Sequence, residues 1–320
     1  NTIIDFGPSK IRIGVFDKES SSNVYASEKD CISNFNEKNF DISGSHEALN
    51  YLIKTAEKKI DSHIKNINLM IDTNDMFSID VSLKKISDHK QYSNKDIHSL
   101  LQEGKNLVQN NYSNKKIIHM IVKKFTFDDV EYFEIPDKDF NYNLLIVELK
   151  FICFSNNIYK KLQDVFNDNH LIIKNLFCSS YVRSANHNLM FENYKKKIFL
   201  DIGYSKSTIT FFEDKRLLFF NILPVGGKHI SKDISILLKI EFDEAENLKK
   251  SLNKSDTIFE NKSDENIKLK SSDLPNQIIH ARVDEIIKLN LANEYFNSFF
   301  QKKDDSVLIF TGEGSKILNK

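Results

Sequence analysis

Hydrophobic and polar residues alternate at the beginning of the chain, which is the pattern of strands with one buried face. Residues 1–17 predict a strand pair, and a third strand is predicted near Asn39–Ser43. Apolar residues then recur at helical spacing over 45–61, with Ser45 as the predicted N-cap. A strand at 66–71 follows, so this part of the chain predicts an α/β arrangement.

The pattern differs between residues 73 and 150, where the spacing predicts a small α+β unit. Phe77, Ile79, Val81 and Leu83 alternate with polar residues, as in a half-buried strand. The later elements of this stretch are a helix at 94–110 and strands at 117–125, 127–134 and 144–152. Because α/β elements resume near Ser155, we expect this unit to be inserted into the first half of the chain.

The second half begins with another strand pair, from Ile198. Its further elements are a strand at Leu217–Leu223, a helix after Gly226-Gly227, a short helix near 243–252, a polar surface stretch at 253–273, a long helix at 277–300 and a buried strand at Val307–Phe310. One side of the long helix is predicted to carry Ile279, Val283, Ile286, Ile287 and Asn290.

A seven-residue stretch occurs twice, once in each half. The two copies are Ile4-Asp5-Phe6-Gly7-Pro8-Ser9-Lys10 and Leu200-Asp201-Ile202-Gly203-Tyr204-Ser205-Lys206. Each lies between two strands, so the glycine predicts a tight turn whose N–H groups can point into one space. One such turn is usually only a turn, but a repeat in matched contexts favours a site. Two facing hairpins would make a phosphate clamp with an acidic residue on each side for a metal ion.

Composition excludes several classes of function. Lys and Arg number 45, as do Asp and Glu, so no net charge favours nucleic acid as a partner. Cys31, Cys153 and Cys178 are isolated in sequence and are typical of reduced thiols rather than of a disulfide framework or a zinc site. The chain contains no run of eighteen apolar residues that would predict a membrane-spanning helix.

Six features follow one another in a fixed order: hairpin, inserted unit, second hairpin, Gly-Gly before a helix, a Glu-x-x-Lys helix, and a strand that ends in Thr-Gly-Glu-Gly-Ser. With this order the chain resembles the actin/Hsp70 superfamily, and the place of the inserted unit makes it resemble the FtsA family of bacterial cell-division proteins. The stretches that carry the resemblance are Asp5–Lys10, Ser179–Tyr181, Leu200–Gly203, Leu223–Gly227, Ala245–Lys249, Ala281–Ile286 and Thr311–Ser315.

The resemblance implies an α/β, actin-like ATPase fold with two duplicated halves around a nucleotide cleft. It also implies that the inserted α+β domain is of the 1C, or SHS2-like, type. The implied subdomains are 1A at 1–72 and 151–188, 1C at 73–150, 2A at 189–227 and 282–320, and 2B at 228–281.

ATP and Mg²⁺ are the cofactors that the resemblance implies. The implied cofactor-binding residues are Asp5, Gly7, Ser9, Lys10, Asp201, Gly203, Ser205, Gly226, Gly227, Glu246, Lys249, Gly312, Gly314 and Ser315. Asp5 and Asp201 would hold Mg²⁺ through waters, since carboxylates are hard oxygen ligands. Glu246 and Lys249 would reach the ribose and adenine, although an ordinary i,i+3 helix pair is the alternative interpretation. Arg282 is interpreted as a structural residue.

The second hairpin departs from the family pattern. FtsA-like proteins usually carry Asp-Ile-Gly-Gly-Gly-Thr-x-Asp-Ile there, whereas Tyr204 and Ser205 replace two glycines and Thr208 replaces the second aspartate. Glu313 replaces a glycine in the last loop. Added bulk and negative charge would oppose a phosphate, so we expect weaker nucleotide binding and still weaker hydrolysis. No catalytic residue is predicted.

The implied function is that of an actin-like cell-division protein that binds ATP, assembles into filaments and tethers the FtsZ ring to the cytoplasmic membrane. In the family the C-terminal tail of FtsZ docks on subdomain 2B, and 1C contacts other division proteins and filament neighbours. A C-terminal amphipathic helix, expected beyond Lys320, would bind the inner membrane surface at the septum.

Two other functions stay open. A pilus-assembly scaffold of the PilM type has the same inserted domain, although the polar stretch 253–273 and the Ala281–Ile286 stretch favour FtsA. A sugar or acid kinase of the superfamily would need a catalytic carboxylate over a substrate hydroxyl, and position 208 is threonine. We therefore expect a scaffold with at most slow ATP hydrolysis rather than an enzyme.

Overall fold

The computed structural model describes residues 1–35, 40–136, 140–252, 274–293, 296 and 305–318. The chain divides into two units. Unit 1 comprises Asn1–His187 and Lys215–Leu218, and unit 2 comprises Asn188–Asp214 and Phe219–Lys320.

Unit 1 contains two larger sheets and the helices that cover them. Its elements, in chain order, are β1 Thr2–Phe6, β2 Lys10–Phe16, β3 Asn23–Asp30, β4 Asn34–Phe35, β5 Phe40–Asp41, α1 His46–Ile60, β6 Asn66–Ile71, β7 Phe77–Gln91, α2 Asn94–Asn111, β8 Lys115–Phe127, β9 Val130–Tyr132, β10 Asn141–Ser155, α3 Asn156–Asp168, β11 Ile172–Cys178 and α4 Ser179–Asn188.

The first sheet of unit 1 carries the first hairpin. Over the described ranges its strand order is β11-β6-β1-β2-β3. Strand β1 pairs antiparallel with β2 and parallel with β6. Ile4 and Phe6 are buried on one face of β1, so the alternation places Asp5 on the other face, one residue before the strand ends.

A separate sheet, β7-β10-β8-β9, packs against α2. Gly104 of α2 allows this packing, because an added Cβ would lie 2.7 Å from a methyl group of Leu149 and 3.0 Å from one of Leu83. The sheet and α2 lie in the part of the chain for which the inserted domain is predicted. The subdomain boundaries themselves stay a prediction.

The described residues of unit 2 form one sheet and a group of helices. Its elements are β12 Lys196–Ile202, β13 Ser207–Glu213, β14 Arg216–Leu223 (from Phe219 in this unit), α5 Gly227–Leu238, α6 Phe242–Leu252, α7 Leu274–Leu291 and β15 Ser306–Thr311. As far as the structure describes the chain, the sheet order is β14-β13-β12-β15, with β12 parallel to β15. Helices α5, α6 and α7 share a core formed by Ile230, Ile234, Ala245, Ile278, Ile279 and Val283.

The structure corrects three details of the sequence interpretation. The third strand of the first sheet is β3, whereas the strand predicted near Asn39–Ser43 corresponds to β5, which pairs only with β4 in the described chain. Ser45 does stand at the N-cap of α1, but its side chain makes no capping hydrogen bond. Helix α7 ends at Leu291 rather than near 300, and the polar stretch 253–273 lies outside the described residues. Within those residues, no helix has the length and apolar character needed to cross a membrane.

Candidate functional site

The two copies of the repeated stretch form the same turn. In the first, the backbone N–H of Gly7 donates to the carbonyl of Lys10 at 3.0 Å; in the second, Gly203 donates to Lys206 at 2.9 Å. A Cβ at Gly7 would lie 2.8 Å from the Lys10 carbonyl oxygen, and one at Gly203 would lie 3.1 Å from that of Lys206. Both glycines therefore allow a close approach that a side chain would crowd.

The carbonyl groups of the first loop are held from one side. Pro8 accepts from the N–H of Ser33 at 2.8 Å, and Ser9 accepts from the N–H of Cys31 at 3.0 Å. The C=O and N–H of a planar trans peptide point in opposite directions. The N–H groups of Ser9 and Lys10 therefore face the opposite side of the loop, as an anion-binding loop requires.

The second loop has the same arrangement with a different support. The N–H groups of Gly227 and Lys228, in the first turn of α5, donate to the carbonyls of Gly203 and Tyr204 at 2.9 and 2.7 Å. The N–H groups of Tyr204 and Ser205 consequently face away from α5.

Three further glycines pack closely around the second loop. A Cβ at Gly226 would lie 2.5 Å from the carbonyl oxygen of Gly203, and one at Gly314 would lie 2.8 Å from that of Ile202. Gly312 has a φ of +89°, and its Cβ would lie 2.7 Å from Oδ1 of Asp201. The structure thus brings these predicted site residues together around the end of β12. Whether they contact a nucleotide stays a prediction.

The last loop is stabilised by its own residues. The hydroxyl and N–H of Ser315 both bond to the carbonyl of Gly312, at 2.8 and 3.2 Å. Glu313, the residue expected to oppose a phosphate, forms an ion pair with Lys316 at 3.2 Å, and its side chain is half exposed.

Glu246 and Lys249 of α6 bond to each other and to α5. The ammonium of Lys249 donates to Oε2 of Glu246 at 2.7 Å, to the hydroxyl of Ser231 at 2.8 Å and to the carbonyl of Gly227 at 3.0 Å. Burial by itself raises the pKa of Glu246, but the hydrogen bonds from Lys249 and Ser231 outweigh it and leave that pKa below its ordinary value. The pair joins α6 to the first turn of α5, and its predicted role as a ribose and adenine ligand stays untested.

Tyr204, which replaces a family glycine, lies close to α6. Its pKa is raised, mainly by burial and further by the carboxylates of Glu246 and Asp243. The Tyr204 hydroxyl is therefore within electrostatic reach of the predicted ribose ligand Glu246.

In unit 1 the predicted phosphate ligand Lys10 pairs with Glu28 of β3 at 2.7 Å. The same carboxylate accepts from Nε of Arg12 at 3.0 Å. The hydrogen bond from Lys10 is the main reason that the pKa of Glu28 is lowered.

Asp5, a predicted Mg²⁺ ligand, is already bonded through both oxygens. Its Oδ1 accepts from the hydroxyl of Ser179 at 2.9 Å, and its Oδ2 lies 3.2 Å from Nη1 of Arg183 and 3.5 Å from Nη1 of Arg12. Mg²⁺ requires near-octahedral oxygen ligands and strongly prefers to keep its waters, so two guanidinium groups at this carboxylate do not fit the ion. In the described part of the chain, no group of three His, Cys, Asp or Glu side chains is placed to hold a metal.

Sequence reasoning missed the roles of Arg12, Arg183 and Asp72. For Arg12 a signal existed, because the turn at Gly7–Lys10 places position 12 opposite position 5 in the hairpin register. Asp72 and Arg183 meet only through the tertiary fold.

The matches to known proteins are consistent with these features. A family model for the cell division protein FtsA matches residues 198–316. The cell division protein FtsA of Enterococcus faecalis is 24% identical over 215 residues, which are 65% of this chain and 47% of that protein. The corresponding protein of Bacillus subtilis is 35% identical over 100 residues, or 28% of this chain and 22% of that protein. The chain thus spans about half the length of the Enterococcus relative.

One solved structure, a PilM-PilN type IV pilus biogenesis complex, has the same fold. It aligns with a TM-score of 0.68 and 11% identity over 98% of this chain and 81% of that chain. The predicted α/β, actin-like fold and the resemblance to FtsA are both confirmed.

Proposed function

Because the chain is a divergent relative of the cell-division protein FtsA, we propose that it is an actin-like, ATP-binding scaffold of bacterial division. In this proposal it assembles into filaments and tethers the FtsZ ring to the inner face of the cytoplasmic membrane at the septum. ATP stabilises one conformation of the chain by binding, and its hydrolysis is not what drives the function.

The main support for ATP binding is the pair of matched loops. In each, carbonyl groups are bonded from one side, so successive N–H groups face the other side. Such a row of N–H groups binds phosphate without base or sugar specificity. The last loop, at Gly312 and Gly314, supports a purine site beside the second loop, because its backbone passes close to Ile202.

A scaffold is favoured over an enzyme by the second hairpin. Asp201 pairs in register with Thr208, which is buried, so a neutral hydroxyl replaces the second carboxylate of the family pattern. Activation of a hydroxyl or a water by proton transfer needs a group that can take the proton. We therefore propose slow hydrolysis at most.

The proposed partners follow from the relationship to FtsA. They are the C-terminal tail of FtsZ at residues 228–281, other division proteins at residues 73–150, a second copy of the chain, and the membrane surface through an amphipathic helix beyond Lys320.

Fluorescent-ATP binding tests the nucleotide part of the proposal with a matched pair of variants. Ser9→Pro removes one backbone N–H from the phosphate face of the first loop, whereas Ser9→Ala removes only the hydroxyl and keeps that N–H. We expect the proline variant to bind about tenfold more weakly and the alanine variant to stay within about threefold of the wild type. Circular dichroism checks that both variants fold. A wild type that does not bind the analogue at millimolar concentration contradicts the proposal.

Anisotropy of a labelled FtsZ C-terminal tail peptide tests the division part. We expect binding that competes with the unlabelled tail peptide and not with a scrambled one. A pilus scaffold is a second candidate, and we rank it lower. The likeness to the PilM-PilN structure, at 11% identity, bears on the fold alone, whereas the sequence matches are to FtsA. Nucleotide binding without any binding of the tail peptide would favour that candidate.

A further inference from the structure

The surroundings of Asp5 differ from those of a metal ligand. Its side chain is 17% exposed, and its two oxygens accept from Ser179, Arg12 and Arg183. The donors come from three places in unit 1, namely β2 and two positions of α4, and Asp5 is mostly buried among them.

Arg183 also reaches a second carboxylate. Its Nη2 lies 3.7 Å from Oδ2 of Asp72, which is 7% exposed. The other oxygen of Asp72 accepts from the N–H and hydroxyl of Ser180 and from the thiol of Cys178, at 3.1, 3.2 and 3.2 Å. Asp5 and Asp72 lie at the ends of the parallel strands β1 and β6. Because Arg183 contacts both carboxylates, the cation between them is a guanidinium.

The second copy of the hairpin provides an internal comparison. Arg12 lies opposite Asp5 in the first hairpin, and Thr208 lies opposite Asp201 at the equivalent position of the second. An arginine opposite the acidic residue in the hairpin register is therefore specific to the first copy and is not a property of the turn.

We propose that Arg12 and Arg183 replace Mg²⁺ at the first phosphate loop, so that this chain binds a nucleoside triphosphate without a divalent cation. This inference rests on the proposed ATP binding. A guanidinium bonds to carboxylate and phosphate oxygens alike, and it repels a second cation at the same carboxylate. Glu28, which is half exposed and bonds to Lys10 and Arg12, is the internal competitor of the phosphate for both cations.

The test measures binding of a fluorescent ATP analogue to the whole chain in EDTA and in excess Mg²⁺. For the wild type we expect dissociation constants within about threefold of each other in the two buffers. Arg12→Gln and Arg183→Gln are each expected to lose about tenfold or more in EDTA and less in Mg²⁺, because one guanidinium fewer at Asp5 repels the ion less. Glu28→Gln is expected to bind more tightly in EDTA, because it removes a carboxylate that competes with the phosphate for Lys10 and Arg12.

Lys29→Gln is the matched control, since it removes a neighbouring charge of β3 that pairs with Glu47 at 3.9 Å, and it should bind like the wild type. Arg12→Gln keeps the test informative if the Arg183 variant does not fold. Wild-type binding that weakens tenfold or more in EDTA overturns this inference and leaves the proposed function intact. Arginine variants that bind like the wild type in EDTA also overturn it. An absence of binding in both buffers overturns the proposed ATP binding as well.

Discussion

Replacement of Lys249 by methionine separates the structural role of the α6 pair from its predicted role as a nucleotide ligand. The Lys249 side chain is 9% exposed and makes charged hydrogen bonds to Glu246, Ser231 and the Gly227 carbonyl. Methionine fills a similar volume but donates no hydrogen bond. The substitution therefore leaves a carboxylate and a backbone carbonyl without their common donor.

The expected cost follows from burial. Removing one partner of a buried ion pair costs about 3–5 kcal/mol. Glu246 is 15% exposed and keeps a hydrogen bond from Ser231 and a longer contact to Lys250, at 3.4 Å. We therefore expect Lys249→Met to lower the free energy of unfolding by about 2–4 kcal/mol.

Lys250→Met is the matched control. It is the adjacent residue, it pairs with the same carboxylate, and its side chain is 65% exposed, so its loss should cost less than about 1 kcal/mol. A double variant, Glu246→Gln with Lys249→Met, should show a coupling energy of at least about 1 kcal/mol.

The measurement is amide hydrogen exchange of α5 and α6 without nucleotide, because a chain of two units need not unfold in one step. Exchange should accelerate in both helices for Lys249→Met and stay near the wild-type rate for Lys250→Met. The pKa of Glu246 is lowered on folding. The contribution of its carboxylate to stability should therefore be complete above pH 4.5, the ordinary pKa, and should disappear as the pH falls below that value. Equal effects of the two lysine variants would refute the structural role.

Two further predictions concern stability, measured by urea denaturation with a spectroscopic probe in the unit that contains the substituted residue, because the two units need not unfold together. Gly312→Ala should lower the free energy of unfolding by about 2–4 kcal/mol, because φ is +89° and the added Cβ would lie 2.5 Å from a backbone oxygen of β12. The control is Gly227→Ala, whose added Cβ has its nearest atoms at 3.6 Å and which should stay within about 1 kcal/mol of the wild type. Equal losses in the two variants would contradict this. Burial lowers the pKa of His119 to about 4, against an opposing effect of Asp72, and its Nε2 accepts from the N–H of Cys178 at 2.9 Å. The contribution of neutral His119 to stability should therefore be complete above pH 6.5. The free energy of unfolding should fall by about 2 kcal/mol from pH 7 to pH 5 in the wild type but not in His119→Gln. A wild type without that pH dependence would refute the assignment.

The fold was predictable where one face of an element is apolar. The stripe on α7 is an example: Ile279, Val283, Ile286 and Asn290 are buried. The cost of burying the Asn290 amide is offset because its NH₂ donates to the hydroxyl of Ser207 and to the carbonyl of Ile286. Strand β3 was missed for the opposite reason. It is partly exposed along its whole length, so no apolar face indicates it, and its pairing with β2 alone defines it.

The candidate site was predictable in its loops but not in its ion pairs. The positions of Gly7 and Gly203 follow from a local turn, which a few neighbouring residues determine. The pair of Asp5 with Arg183 joins residues 178 positions apart, and no spacing in the sequence encodes such a contact.

The two loops have the same geometry and both end in a lysine, Lys10 or Lys206, but the segments behind them differ. Behind the second loop lies the first turn of α5, whose N–H groups bond to the loop carbonyls, and a helix N-terminus carries a partial positive charge. Behind the first loop lies the irregular segment at Cys31–Ser33, which supplies no such dipole. The first hairpin has instead the guanidinium of Arg12, at the position where the second hairpin has Thr208. The copy with a helix behind it thus has the neutral Thr208, and the copy without one has the charged Arg12 at the equivalent position.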